Sequence, residues 1–289
     1  MIRFWLVALI LIAAVGPARA ADRLNVVASF SILGDFVRNV GGDRVNVTTL
    51  VGPNSDAHVY APTPSDAKKV ADAKLVFVNG LGFEGWLSRL VKSAGGKAAV
   101  VTTTTGIAPL KLGLEADPHA WQSVANAKVY VANIRDALAA AAPADAEAFK
   151  SNAGAYLAEL DVLEREVREA MAKIPENRRK VISTHNAFGY FAAAYGVEFI
   201  APLGVSTESE ASARDIAKII TQVRAAGIPA VFLENISDPR LMGRISAETG
   251  ARVGGTLYSD SLTGEKGDSP TYIAMVRHNI KALTGALNP

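Results

Sequence analysis

Residues 143–175 read PADAEAFKSNAGAYLAELDVLEREVREAMAKIP. Phe149, Ala153, Tyr156, Leu160, Leu163, Val167, Met171 and Ile174 recur at steps of three and four, the spacing of one helix face. Pro143 suits the opening of a helix, and Asp145 and Glu147 put negative charge where the helix dipole favours it. Lys173 falls in the last turn and Pro175 ends the pattern. Glu164–Arg168 and Glu169–Lys173 add i,i+4 pairs. Gly154 is the weak link, costing about 1 kcal/mol against alanine. Some 30 residues at about 1.5 Å each make a rod of roughly 45 Å. A lobe of ~100 residues is only about 30–35 Å across. The stretch therefore reads as a helical beam joining two lobes. A long core helix of a single domain has the same periodicity and is the alternative.

On both sides of the beam, apolar β-branched runs alternate with helical patterns. The first side offers strands at 24–30, 45–51, 75–78 and 98–102, and helix faces on Ile32, Leu33, Phe36, Val37 and Val40 and on Phe83, Trp86, Leu87, Leu90 and Val91. Thr63-Pro64-Ser65-Asp66 is a helix start. Residues 103–117 look irregular, and a helix is expected over about 123–141. The second side offers strands at 180–184, 197–201, 230–233 and 252–258. Its helices are expected over 188–195, around Ile216, Ile219, Ile220 and Val223 up to Gly227, from Asp238-Pro239 to Gly250, and from a Ser269-Pro270 cap to about Leu283. Such alternation predicts an α/β fold with a mostly parallel sheet, flanked by helices, in each lobe. The expected division is 21–142 for the first lobe, 143–175 for the beam and 176–289 for the second. The halves share a plan and no close internal repeat.

The 289 residues, 49% hydrophobic and 20% charged, suffice for two medium domains. Arg3, an apolar run over 4–15 and Ala18-Arg19-Ala20 have the form of a signal peptide cut after Ala20. Removing 1–20 takes away Arg3 and Arg19, leaving 28 basic residues against 28 acidic ones. No basic block points to nucleic acid, and no later apolar run is long enough to span a bilayer. Cysteine is absent, so no disulfide and no cysteine-linked lipid is expected. A free monomeric protein of the periplasm is the expectation.

Three of the four histidines, His58, His119 and His185, fall in loops after expected strands, as does Asp260 in Tyr258-Ser259-Asp260-Ser261. Ligands of open α/β sheets bind at the carboxyl ends of strands. Two of these residues come from each half, so facing lobes would let them converge. Three imidazoles and a carboxylate suit a four-coordinate Zn²⁺ site. Spacing alone does not establish it, since no two ligands share a helix at i,i+4. A solvated or hydrogen-bonded loop histidine is the competing reading for each. His278, on the far side of the last apolar helix face, reads as a solvated surface residue.

Asp56-Ala57-His58-Val59-Tyr60 with Pro62-Thr63-Pro64-Ser65-Asp66, Asp117-Pro118-His119-Ala120-Trp121, Ser183-Thr184-His185-Asn186-Ala187-Phe188-Gly189-Tyr190-Phe191 and Tyr258-Ser259-Asp260-Ser261-Leu262 occur in that order. Together they resemble the motifs of the zinc/manganese solute-binding proteins of bacterial ABC importers. The resemblance covers essentially the whole chain after residue 20. It implies two α/β lobes joined by one long helix, a metal ion between them, and ligand roles for His58, His119, His185 and Asp260. It also implies a membrane permease with a cytoplasmic ATPase as partner. Members often have an acid where Ala61 stands and Asp where Asn186 stands, so the surroundings of the ligands are expected to differ here. Manganese-type members tend to carry Glu in place of His185. Dedicated zinc carriers often have a long His-rich loop, and the short stretch 111–116 has none. Zn²⁺ is the expected cargo, with Mn²⁺ or mixed use as the alternative.

Glu208, Glu210 and Glu234 are further candidates for hydrogen-bonding a ligand histidine, each with a solvated or capping role as the rival reading. Trp121 and Tyr190 are candidates for walling the cleft, Tyr190 more readily as core. The chain lacks a Gly-rich phosphate loop after its first strand, a nucleophile elbow and an HExxH helix. A periplasmic zinc hydrolase is the rival function; it needs Asp260 unbound, acting as a base. An adhesin or metal-storage role on the same scaffold is a third reading. A single stiff helix between the lobes predicts small lobe motion on binding, with most change in the loops that carry His119, His185 and Asp260.

Overall fold

The computed structural model describes residues 23–288 apart from Leu114, so the expected signal peptide at 1–20 lies outside the described residues. The first sheet comprises β1 (Leu24–Phe30), β2 (Val45–Val51), β3 (Leu75–Val78) and β4 (Ala99–Thr102), in the order β2-β1-β3-β4 and all parallel. β1 is buried along Val26–Phe30 without alternation, as a strand covered on both faces must be. Helices α1 (Ser31–Gly41), α2 (Pro64–Ala71) and α3 (Leu87–Ser93) follow its strands. A hairpin of β5 (Lys111–Leu112) and β6 (Glu115–Ala116), a 3-10 turn over Ala120–Gln122, and α4 (Val124–Ala141) complete the lobe.

After α5 (Ala146–Ala172) the second sheet comprises β7 (Lys180–Ile182), β8 (Glu198–Ile200), β9 (Ala230–Glu234) and β10 (Arg252–Leu257), again parallel. Its order is β10-β9-β7-β8. Numbered within its own lobe and read from the other edge, that is second-first-third-fourth, the order of the first sheet. The halves therefore share topology as well as composition of elements. Helices α6 (Gly189–Tyr195), α7 (Ala213–Ala226), α8 (Arg240–Thr249) and α9 (Tyr272–Leu287) flank this sheet. Gly227 and Gly250 end α7 and α8 in the left-handed conformation that side chains avoid.

Several boundaries differ from expectation, each for a local reason. α2 begins as read: Thr63 Oγ1 accepts from the Asp66 amide and Asp66 returns a bond to the Thr63 N–H. α3 starts only at Leu87, because the Glu84 carboxylate accepts the Asn79 and Gly80 amides and holds the preceding residues in a turn. Phe83 and Trp86 are buried from that turn and not from a helix. β7 stops at Ile182 since the Thr184 amide turns to Glu234. The cap of α9 is Thr271, which accepts from the Ala274 amide, and the helix runs on to Leu287. The stretch expected to be irregular contains the β5–β6 hairpin.

The beam is a 3-10 turn over Pro143–Asp145 followed by the 27 residues of α5, roughly 40 Å of helix. Every residue of the expected face, from Phe149 to Ile174, is buried. What buries it combines both readings of the stretch. α5 packs on α1 and α4 of the first lobe and on α9 of the second. A single apolar core runs through Phe36, Tyr130, Phe149, Leu160, Val167, Phe188 and Leu283. A smaller cluster under α7 and α8 serves the second sheet alone. Arg277 of α9 makes a paired contact with Glu166 of α5 at 2.8 and 2.9 Å. The helix is thus a spine fixed to both lobes.

Gly154 lies exposed within α5, with nothing near an added Cβ. Gly154→Ala should raise unfolding stability by about 0.5–1 kcal/mol, and Leu160→Ala should lower it by about 2–5 kcal/mol, both read by denaturant titration.

Candidate metal centre

The loops that leave β2, β7 and β10, and the one that follows the β5–β6 hairpin, meet between the two sheets. His58, His119, His185 and Asp260 are all buried there, each offering one ligand atom within 4.8 Å of the others. His119 Nε2 lies 3.3 Å from His58 Nε2 and 3.3 Å from His185 Nε2. Asp260 oxygens stand 3.3 Å from His58, 3.6 Å from His119 and 3.1 Å from His185 Nε2. Metal bonds of about 2.0–2.1 Å in a tetrahedron place neighbouring donors roughly 3.4 Å apart, so the observed edges enclose a space of that size. Neither oxygen of Asp260 receives a well-directed hydrogen bond, although both are buried. A buried carboxylate left that way is costly without a cation. The donor set therefore fits a divalent metal ion.

Local turns aim the imidazoles. The His58 amide donates to Asp56 Oδ1 at 2.8 Å, and the His119 amide donates to Asp117 Oδ1 at 2.9 Å. Each Asp-x-His segment is therefore an Asx turn. Asp117 Oδ1 also accepts from His119 Nδ1 at 2.8 Å, which leaves Nε2 to face the centre. Glu234 at the end of β9 does the same for His185, whose Nδ1 it holds at 2.6 Å. Its other oxygen accepts the Thr184 and His185 amides at 2.7 and 3.0 Å, while Ser259 Oγ donates at 2.8 Å to the oxygen that holds the ring. One carboxylate thus fixes His185 and steadies the residue beside Asp260. From the first lobe, Trp121 Nε1 and Gln122 Nε2 both donate to the Ser259 carbonyl, at 2.8 and 2.7 Å.

Of the sequence candidates, Glu234 therefore takes the supporting role, while Glu208 and Glu210 are exposed. Trp121 is buried and packs edge-on against the His119 ring at 5.3 Å. Tyr190 does more than fill core: its hydroxyl accepts from the Leu110 amide and donates to the Asp117 carbonyl, both at 3.0 Å. Ala61 is exposed, and Asn186 contributes a backbone bond to Gly204. His278 is half-buried and not solvated; its Nε2 donates to the Thr256 carbonyl at 3.0 Å, and its ring packs on Tyr258. It lies outside the centre because α9 carries it against β10. Sequence reasoning assigned no role to Asp117 or Gly189. The repeated Asp-x-His was the available signal for the first. Gly189 is needed because a Cβ there would stand 2.4 Å from Asp117 Oδ2.

Burial opposes charge at these groups, but their mutual attraction wins. Despite desolvation, the Glu234 and Asp260 carboxylates hold His185 well above the usual histidine range, and Asp260 and Asp117 raise His119. Asp260, though buried, is held well below the usual carboxylate range by His185 and His119. The raised proton affinity of these rings sets protons in competition with a metal ion.

The sequence profile of the family described as "Zinc-uptake complex component A periplasmic" matches residues 26–286. The manganese-binding lipoprotein MntA of Halalkalibacterium halodurans is 36% identical, over 94% of this chain and 91% of that protein. The iron-binding protein YfeA of Yersinia pestis is 35% identical, over 92% and 87%. The solved structure of the periplasmic zinc binding protein TroA from Treponema pallidum superposes with a TM-score of 0.88 at 31% identity, covering 92% of this chain and all of that one. The chain belongs to this family of metal-binding solute-binding proteins of ABC importers.

Two outcomes follow. A raised histidine pKa gives stability that is present below about pH 6.5 and lost as pH climbs through the folded value. The metal-free protein should therefore lose stability above neutrality while metal affinity rises, and calorimetry in buffers of different ionisation enthalpy should register proton release on binding near pH 7. Gly189→Ala should displace Asp117 and weaken binding by about 10-fold or more.

Proposed function

We propose that this family member captures Zn²⁺ outside the cytoplasm and delivers it to an ABC import permease driven by a cytoplasmic ATPase. The observation that carries the reading is the buried, unpartnered Asp260 carboxylate at 3.1–3.6 Å from three histidine Nε2 atoms. His58, His119, His185 and Asp260 are the proposed ligands. Neutral imidazoles and Asp260 replace the water shell of the ion, which is cargo here and not a resident cofactor. Lobes over 21–142 and 176–289, spaced by 143–175, bring two ligands each. Three imidazole donors favour Zn²⁺ on ligand softness. The proposed location is the periplasm.

Manganese, or mixed use, is the second reading. Both oxygens of Asp260 are free to bind, and bidentate binding would supply five donors, more than a tetrahedral Zn²⁺ centre uses. The relatives carrying manganese and iron in their names support the same reading. A hydrolase fits less well. Asp260 stands among the donors and not apart from them as a base, and the family is one of transport proteins.

Titration of demetallated protein with Zn²⁺ should give one ion per chain, and His119→Ala should cost at least about 100-fold in affinity. Uptake of well under one ion per chain would refute the site. Equal Zn²⁺ and Mn²⁺ should load mainly zinc; preferential loading of manganese would transfer the proposal to the second reading.

A further inference from the structure

The loop joining β8 to α7, residues 201–212, reaches from the second lobe over the mouth of the centre. Its Ser206 and Glu208 line a cavity of about 330 Å³ together with His58, Phe83, Glu115 and Pro118. Of the four proposed ligands, only His58 borders this space. His58 is 7% exposed, whereas His119, His185 and Asp260 are 0%. An ion entering by this mouth meets His58 first, and one leaving passes it last.

The same loop has space on its other face, a cavity of about 520 Å³ lined by Asp56, Thr184, Thr207 and Glu210 among others. The loop is fixed at its start, where the Leu203 amide donates to the Thr184 carbonyl and the Asn186 amide to the Gly204 carbonyl. It is fixed at its end, where Ser212 caps α7. Between these points, one hydrogen bond among the described residues crosses to the first lobe. Thr207 Oγ1 donates to Asp56 Oδ2 at 2.5 Å. The other oxygen of Asp56 holds the His58 amide at 2.8 Å. A single carboxylate thus couples the exposed edge of the centre to a loop of the opposite lobe.

We propose that Thr207 and Asp56 form an inter-lobe latch that sets how fast the ion is released past His58. They are positioning residues: neither offers an atom to the four-donor cluster. With the bond made, the Asx turn that aims His58 is tied to the second lobe. With it broken, the loop moves into the space on either side, and His58 is free to swing from the ion. The latch rests on the four-ligand reading above.

The test is release of Zn²⁺ from loaded protein into excess chelator by stopped flow, together with the association rate and the melting temperature of the metal-free form. Thr207→Val should raise the dissociation rate about tenfold, the scale of one hydrogen bond to a carboxylate. Association should stay within about twofold, and the metal-free melting temperature should fall by no more than about 2–6 °C, the scale of one lost hydrogen bond. Thr207→Ser, which keeps the hydroxyl, should release at the parental rate; Thr207→Ala replaces the valine variant if that one folds poorly. An unmoved dissociation rate in the hydroxyl-free variants, or an equal increase in Thr207→Ser, overturns the latch alone. Failure of the parental protein to take up zinc overturns the ligand reading and the latch with it.

Discussion

A carboxylate buried in protein, with neither oxygen hydrogen-bonded, is the constraint around which this molecule is built. Asp260 is in that condition, and its desolvation is costly unless positive charge stands beside it. Without a metal, His185 and His119, whose affinity for protons Asp260 raises, are the groups placed to supply it. A divalent ion supplies more of it, at the point where all four donors converge. Much of the surrounding polar structure holds that arrangement. Asp117 and Glu234 fix the rings, and the carbonyl just before Asp260 is gripped by Trp121 and Gln122 from the opposite lobe. The cost of burying the site is spread over groups that each satisfy a partner.

The two lobes meet this constraint with the same architecture. In each, the loops leave the carboxyl ends of parallel strands, where main-chain ladders stop and side chains must take over the amides. Glu84 and Glu234 show the parallel. Each carboxylate accepts two backbone amides at the end of its lobe's sheet, Glu84 at Asn79 and Gly80 and Glu234 at Thr184 and His185. Only the second touches the ring of a proposed ligand directly. The first acts at a distance: Asn79, held by Glu84, donates to the Pro118 carbonyl and so braces the loop of His119.

Much of this was legible in the sequence. The three-and-four spacing of residues 149–174 determines a buried face, and that face is buried in full. The strands at 24–30, 45–51 and 75–78 lie where their apolar β-branched runs do. Boundaries were blurred where a side chain captured an amide, at the start of α3 through Glu84 and at the end of β7 through Thr184. Loop histidines after strands marked the centre because strand ends are where such sheets bind. The supporting shell was harder to read. Glu234 is far from His185 in sequence, and only the pairing of β7 with β9 brings it there. Gly189 carries no periodic signal; its need appears only when Asp117 is seen against it. His278 was misread because helical phase says which way a residue faces on its own helix, and not that β10 lies on that side.

The same packing limits how the centre can exchange an ion. A stiff spacer alone would still permit the lobes to rock about its ends. Here α5 is cemented to α1, α4 and α9 along one continuous core. Asp35 of α1 accepts the Tyr272 amide at the start of α9, and the Tyr272 hydroxyl returns to the Trp121 carbonyl. Ser31 accepts the Leu262 amide two residues beyond Asp260. A wide hinge opening would break these buried bonds together and expose apolar surface, a cost of many kcal/mol. Moving the loop over His58 breaks one bond to the first lobe and leaves the core intact. Exchange by local loop motion is therefore the route of lower cost, and the rigidity of α5 is what makes it so.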